Sequence, residues 1–215
     1  MTVKVKICGL SNAVSVAAAV TEGADYVGFV FYPKSPRVVT AEQTAALIAP
    51  LPAIMTTVGL FVNASDDVIK NVLHVAPLRM LQLHGKETPE RVAAVKQLTG
   101  LPVIKAVGIA SVHDIETARM YEAVADLLLL DAKPPADGLP GGNAVTFDWS
   151  ILENALLTKP WMLAGGLNAE NIAQAVATTG ARILDVSSGV EDSPGQKNSA
   201  KIKAFLEQAR GLGST

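Results

Sequence analysis

The sequence is poor in aromatic residues, with Phe, Trp and Tyr together making 5% of it. Any core must therefore be aliphatic, and hydrophobic residues at 49% suffice to build one. Cysteine occurs once, at Cys8, which excludes an internal disulfide and a cysteine-rich metal centre. The histidines, His74, His84 and His113, stand on separate segments without the close spacing of paired metal ligands. Neither residue type points to a metal site. Neither sign of charge dominates: the net charge is −2, so nothing draws the chain towards nucleic acid or an anionic membrane. No uninterrupted apolar run approaches the roughly 18 residues that cross a bilayer. Lys4 and Lys6 precede the apolar run 13–20 in weak imitation of a secretion signal, but Gly9, Ser11 and Asn12 interrupt it. A cytoplasmic protein is expected.

What the chain does have is alternation. Strand-like runs at 3–8, 26–31, 54–62, 79–83, 103–107, 127–130, 161–164 and 183–186 alternate with Ala-rich helical patterns at 12–22, 41–49, 66–75, 89–98, 112–122, 149–156, 169–178 and 200–209. Units of roughly 25 residues each, eight in succession, predict a single-domain (β/α)8 TIM barrel over residues 1–215. An open doubly wound sheet uses the same elements, but near-equal units favour closure. Ser11, Thr40, Ser65, Thr88, Ser111 and Asn168 stand where helix N-caps belong, and Gly23, Gly100 and Gly180 where helices end. These nine need no functional explanation.

The stretch 161–189 is different. An apolar strand runs into Gly165-Gly166, a helix follows, and a second strand runs into Ser187-Ser188-Gly189. Adjacent glycines allow close backbone approach and present bare N–H groups. In a TIM barrel the loops after strands 7 and 8 frequently form a phosphate site, helped by a short extra helix. Gly165, Gly166, Ser187, Ser188 and Gly189 are therefore candidate phosphate-binding residues. Two other loops exceed what capping requires. The loop 32–39 is basic and stiffened by Pro33 and Pro36, and the Gly- and Pro-rich loop 132–146 has the composition of a lid.

Strand alternation then sorts the polar residues. Val3, Val5 and Ile7 form an apolar set that suits the helix-facing layer, so Lys6 and Cys8 point into the barrel, Cys8 at the C-terminal rim. Leu128 and Leu130 likewise aim Asp131 at that rim. Leu81 and Leu83 turn Gln82 and His84 inward, and Ile183, Asp185 and Ser187 share the inner face of the last strand. A thiol and a carboxylate thus converge near an anion cradle. Taken alone, Cys8 is equally a small buried hydrophobe, Asp131 a loop cap, His84 a structural hydrogen-bonding group and Arg37 a solvated charge. In a rigid loop over the site, Arg37 can instead bind a carboxylate bidentately.

The stretches KICGL (6–10), GFVFYPKSPR (28–37), VGLFVN (58–63), LQLHG (81–85), LLLLD (127–131), FDW (147–149), AGGLNAENI (164–172) and LDVSSGVE (184–191) are together specific, and they span nearly the whole chain. On them the chain resembles phosphoribosylanthranilate isomerases of tryptophan biosynthesis. The resemblance implies an Amadori rearrangement of N-(5-phosphoribosyl)anthranilate without cofactor or metal. It implies Cys8 as general base, Asp131 as general acid, Arg37 on the anthranilate carboxylate and the two glycine–serine loops on the phosphate. Lys6, His84 and Asp185 are further candidates for substrate contact. In the lid, the family's usual Gly-Gly-Thr-Gly appears as Gly141-Gly142-Asn143-Ala144. The expected partner is a small phosphosugar, bound by a monomer or homodimer. Another phosphosugar barrel enzyme, or a non-catalytic phosphate-binding barrel, would share the cradle. The metal ligands of an epimerase and the several rim Lys and Glu residues of an indole-type synthase are not found.

Overall fold

Residues 3–133, 141–142, 146–153 and 155–212 are described by the structure, a computed structural model. Strands β1 (Lys4–Cys8), β2 (Tyr26–Val30), β3 (Thr56–Phe61), β4 (Met80–Leu83), β5 (Val103–Ile109), β6 (Leu127–Ala132), β7 (Trp161–Leu163) and β8 (Ile183–Val186) form a closed barrel in sequence order. It closes through parallel pairing of β1 with β8, in a register that sets Lys6 beside Asp185. The fold is a TIM barrel, as the alternation predicts.

Two apolar layers account for closure. Val5, Ile7, Leu81, Leu83, Leu128, Leu130, Leu184 and Val186 pack outward against the helices, while Val58, Ile104, Ala106, Leu127, Leu129 and Met162 fill the barrel. The helices are α1 (Ala13–Thr21), α2 (Ala41–Ile48), α3 (Asp66–Val75), α4 (Pro89–Thr99), α5 (Val112–Arg119), α6 (Ile172–Thr179) and α7 (Ser199–Gly211). Among the described residues no helix is long and apolar enough to cross a membrane.

The outer layer departs from expectation in four places. The helix predicted at 149–156 is a single 3-10 turn, Trp149–Leu152, started by the Asp148 side chain accepting from Ser150 N–H. At α1 the N-cap is Asn12 and not Ser11, because the Asn12 side chain accepts from Ser15 N–H at 2.9 Å. Asn168 does not cap α6 either. Its side chain accepts from Glu170 and Asn171 N–H, closing a turn that delays the helix to Ile172. Finally, β8 is followed by a 3-10 turn (Ser188–Val190) and an unforeseen hairpin of β9 (Glu191–Ser193) and β10 (Gln196–Lys197).

Candidate active site

Cys8 ends β1 in register with Gly28 of β2. A Cβ on Gly28 would stand 3.2 Å from both Cys8 Sγ and Lys6 Cε, so the glycine makes room for two side chains. The thiol is nearly buried. Burial pushes its pKa up, the Lys6 ammonium opposes this, the Asp185 carboxylate adds to it, and the Lys197 ammonium opposes again. Lys6 is fully buried, its Nζ 2.8 Å from Asp185 Oδ1. Burial works against the ammonium, but Asp185 and then Cys8 outweigh it, so Lys6 stays charged. Lys6 supports the thiol from beneath and does not line the cleft where substrate contact was expected; Asp185 does line it.

Asp131 lies on β6, and its Oδ1 accepts from Ala132 N–H at 2.9 Å. Its Oδ2 is 3.3 Å from His84 Nε2, and His84 Nδ1 is 2.9 Å from the Gln82 amide nitrogen. His84 thus bridges the carboxylate to an amide inside the barrel, and Gln82 Oε1 is buried without a hydrogen-bond partner among the described residues. Gly141 covers this pair closely: a Cβ there would stand 2.9 Å from His84 Cε1 and 3.2 Å from Asp131 Oδ2. Most of the expected lid, including Asn143 and Ala144, lies outside the described residues.

Arg37 is buried at the rim, not solvated. Its stem packs where a Cβ on Gly9 would come within 2.5 Å of Cδ, which explains the glycine of KICG, held at φ +76°. Arg37 Nε and Nη2 donate to the two carboxylate oxygens of Glu191 at 2.7 Å each, and Nη2 also donates to the Gly142 carbonyl at 3.3 Å. The bidentate face expected for substrate is thus taken by Glu191, which leaves Nη1 for an outside carboxylate. Glu191 and its second partner Lys197 come from the hairpin that sequence reasoning missed. The signal was present in Glu-Asp-Ser-Pro-Gly-Gln-Lys, a Pro-Gly turn flanked by short polar arms.

The candidate cradle lies in the loops after β7 and β8. Gly165 and Gly166 both have positive φ, +87° and +62°. Among the described residues the N–H groups of Gly166, Leu167, Ser188 and Gly189 donate to no protein acceptor. Gly189 also has a steric task. It does not line the cleft, but a Cβ there would collide with the Leu167 carbonyl, so its absence lets the two loops meet. The remaining predicted residues, Cys8, Arg37, His84, Asp131, Asp185, Gly165, Gly166, Ser187 and Ser188, all line one cleft with about 810 Å³ of empty space, its open mouth included.

The family model for N-(5'phosphoribosyl)anthranilate (PRA) isomerase matches residues 5–208. The chain belongs to the phosphoribosylanthranilate isomerase family. It is 54% identical to the N-(5'-phosphoribosyl)anthranilate isomerase of Paracoccus denitrificans, over 97% of this chain and 98% of that one. It is similar to the crystal structure of phosphoribosyl anthranilate isomerase from Thermotoga maritima, with a TM-score of 0.87, 38% identity, and coverage of 98% of this chain and 100% of that one. A further structure of such an isomerase, in complex with reduced 1-(o-carboxyphenylamino)-1-deoxyribulose 5-phosphate, gives 0.85 and 37%, with the same coverage. The cleft of this phosphoribosylanthranilate isomerase family member is lined by the two glycine–serine loops, the Arg37 guanidinium, the Cys8 thiol and the Asp131 carboxylate.

Proposed function

We propose that this chain performs its family's isomerisation with Cys8 as general base and Asp131 as general acid, on a substrate held at both ends by charge. The observation that carries this reading is that the two groups line one cleft with Arg37 and with the Gly166 and Ser188 loops. Asp131 protonates the ribose ring oxygen as the bond from carbon 1 to that oxygen breaks, leaving a Schiff base to the anthranilate nitrogen. The hydrogen on carbon 2 is then acidic, and the Cys8 thiolate takes it to give an enolamine. Carbon 1 gains a proton, the carbon 2 hydroxyl loses one, and the ketone of 1-(2-carboxyphenylamino)-1-deoxyribulose 5-phosphate results. Acid and base begin in opposite protonation states, which proton shuttling of this kind requires.

The surroundings fit both roles. Lys6 and Lys197 favour the thiolate against its burial. A Gln82 amide can turn over, accepting from Nδ1–H of His84 and leaving Nε2 to accept from protonated Asp131. The Arg37 Nη1 group meets the anthranilate carboxylate, and the cradle N–H groups meet the phosphate. A reducing, cytoplasmic setting belongs to this reading, because a lone catalytic cysteine must stay a thiol. The test is the loss of fluorescence of freshly made phosphoribosylanthranilate on wild type and Cys8→Ser. The serine enzyme should bind product analogue normally and lose at least about 10²-fold in kcat. Near-normal turnover would sink the base assignment.

A further inference from the structure

The hairpin β9–β10 carries a buried cation that the reaction does not consume. Lys197 has no exposed side-chain surface, and its Nζ donates to Glu191 Oε1 at 2.7 Å, to the Ser187 carbonyl at 2.9 Å and to Ser187 Oγ at 3.1 Å. Glu191 in turn holds Arg37 through its two oxygens. A continuous chain therefore runs from Arg37 through Glu191 and Lys197 to Ser187, joining the two anion-binding sides of the cleft. The hairpin turn is seated directly on the Arg37 loop. Gly195 has φ +85°, and a Cβ there would stand 2.6 Å from the Pro36 carbonyl oxygen.

The contacts at Ser187 have a geometric consequence. A trans peptide holds C=O and the following N–H in one plane, pointing in opposite directions. An ammonium fixing the Ser187 carbonyl thus turns the Ser188 N–H the other way, and that N–H has no protein acceptor among the described residues. The Ser187 hydroxyl, already accepting from Lys197, has its single hydrogen left to donate. Both Ser187 and Ser188 line the cleft.

We propose that Lys197 is a positioning residue for the phosphate end of the substrate, fixing the Ser187–Ser188 peptide and the Ser187 hydroxyl as anion donors without touching the phosphate. This rests on the phosphate-cradle reading above. Lys197 also contributes positive potential at Cys8, together with Lys6 and against Asp185, while Glu191 and Arg37 face Lys197 itself.

The experiment uses Lys197→Met, checked for folding by circular dichroism, with Gly166→Val as the control for the cradle. Affinities are measured for reduced product analogue, inorganic phosphate and anthranilate, and kcat/KM is followed against pH. For Lys197→Met, product analogue and phosphate should each weaken about 10-fold or more, the range for a hydrogen bond to a charged group. Anthranilate should change little, and the alkaline limb of kcat/KM should move to higher pH. Equal losses for all three ligands, or no loss for the phosphate-bearing ones, would overturn the proposal. If Gly166→Val weakens them and Lys197→Met does not, the cradle stands and Lys197 is dismissed. If Gly166→Val changes nothing, the cradle itself is misplaced. Should Lys197→Met not fold, Lys197→Gln removes the charge while leaving an amide to fill the space, and the same outcomes decide.

Discussion

Two sets of buried charges occupy this barrel, and only one of them opens on the cleft. At the rim, Arg37, Lys6 and Lys197 are paired with Glu191 and Asp185, and Asp131 lines the same cleft as Arg37 and Asp185. Between the sheet and its helices, Lys105 of β5 is paired with Glu87 at 2.8 Å, one to one, and buried as completely. Glu87 also accepts from Asn63 N–H and Gly85 N–H, while Lys105 donates to the Gly85 carbonyl. That set ties the β3–α3 and β4–α4 loops together. Burial alone therefore does not mark function here. What separates the two sets is the cleft: Arg37, Asp131 and Asp185 line it, whereas Lys105 and Glu87 do not.

The sharpest break of this comparison is at the proposed acid. Asp131→Asn should lower kcat by about 10²–10⁴-fold while product analogue still binds and the melting temperature stays close to wild type. Calorimetry showing binding abolished in a folded variant would make Asp131 a binding residue. Next in size is the structural pair. Lys105→Met strands the Glu87 carboxylate and should cost about 3–5 kcal/mol of stability, lowering Tm by roughly 10 °C for a chain of this length. At a temperature where it is folded, kcat should be little changed. A variant with native Tm and collapsed kcat would erase the distinction between the two sets. Smaller still is Arg37→Lys, which keeps the charge but not the planar fork that serves Glu191 and a substrate carboxylate together. KM should rise about tenfold with kcat nearly intact, as for a grip equal in ground and transition states. An unchanged KM would leave Arg37 as a partner of Glu191 alone.

Much of this was legible in the sequence because period-2 alternation fixes which side of a barrel wall a residue faces. Cys8, Asp131, His84 and Asp185 follow from that rule, and the glycine loops from their place after the last two strands. The rule fails at Lys105. It alternates with Ile104 and Ala106 of the interior, so it shares the helix-facing side with Val103 and Val107. A lysine there reads as an error until Glu87, from a different loop, is beside it. The same limit hid Glu191 and Lys197, whose significance lies in contacts to Arg37 and Ser187 that no local pattern encodes. Gly189 also provides clearance between two loops, which only the approach of Leu167 reveals.

The smallest expected effect separates the two sets by pH. An acid–base pair that works with one proton between its members is active while that proton is bound and fails when it leaves, so the alkaline limb of kcat/KM reports the more weakly acidic group. Burial holds the Cys8 thiol above its ordinary value, with Asp185 adding to the rise and Lys6 and Lys197 opposing it. The limb should accordingly lie above about 8.5, the value of a free thiol. Removing the Asp185 charge ends its contribution to that rise. In Asp185→Asn the limb should move to lower pH, by about a unit or less, a change equivalent to roughly 1.4 kcal/mol at most. Glu87→Gln removes an equally buried carboxylate from the other set and should leave the limb where it is, although the protein will be less stable. The measurement is kcat/KM from pH 6 upward for wild type and both variants, each assayed within its folded range. A limb that moves equally in both, or that stays still in Asp185→Asn, would mean that the titrating group is not the thiol above Lys6 and Asp185.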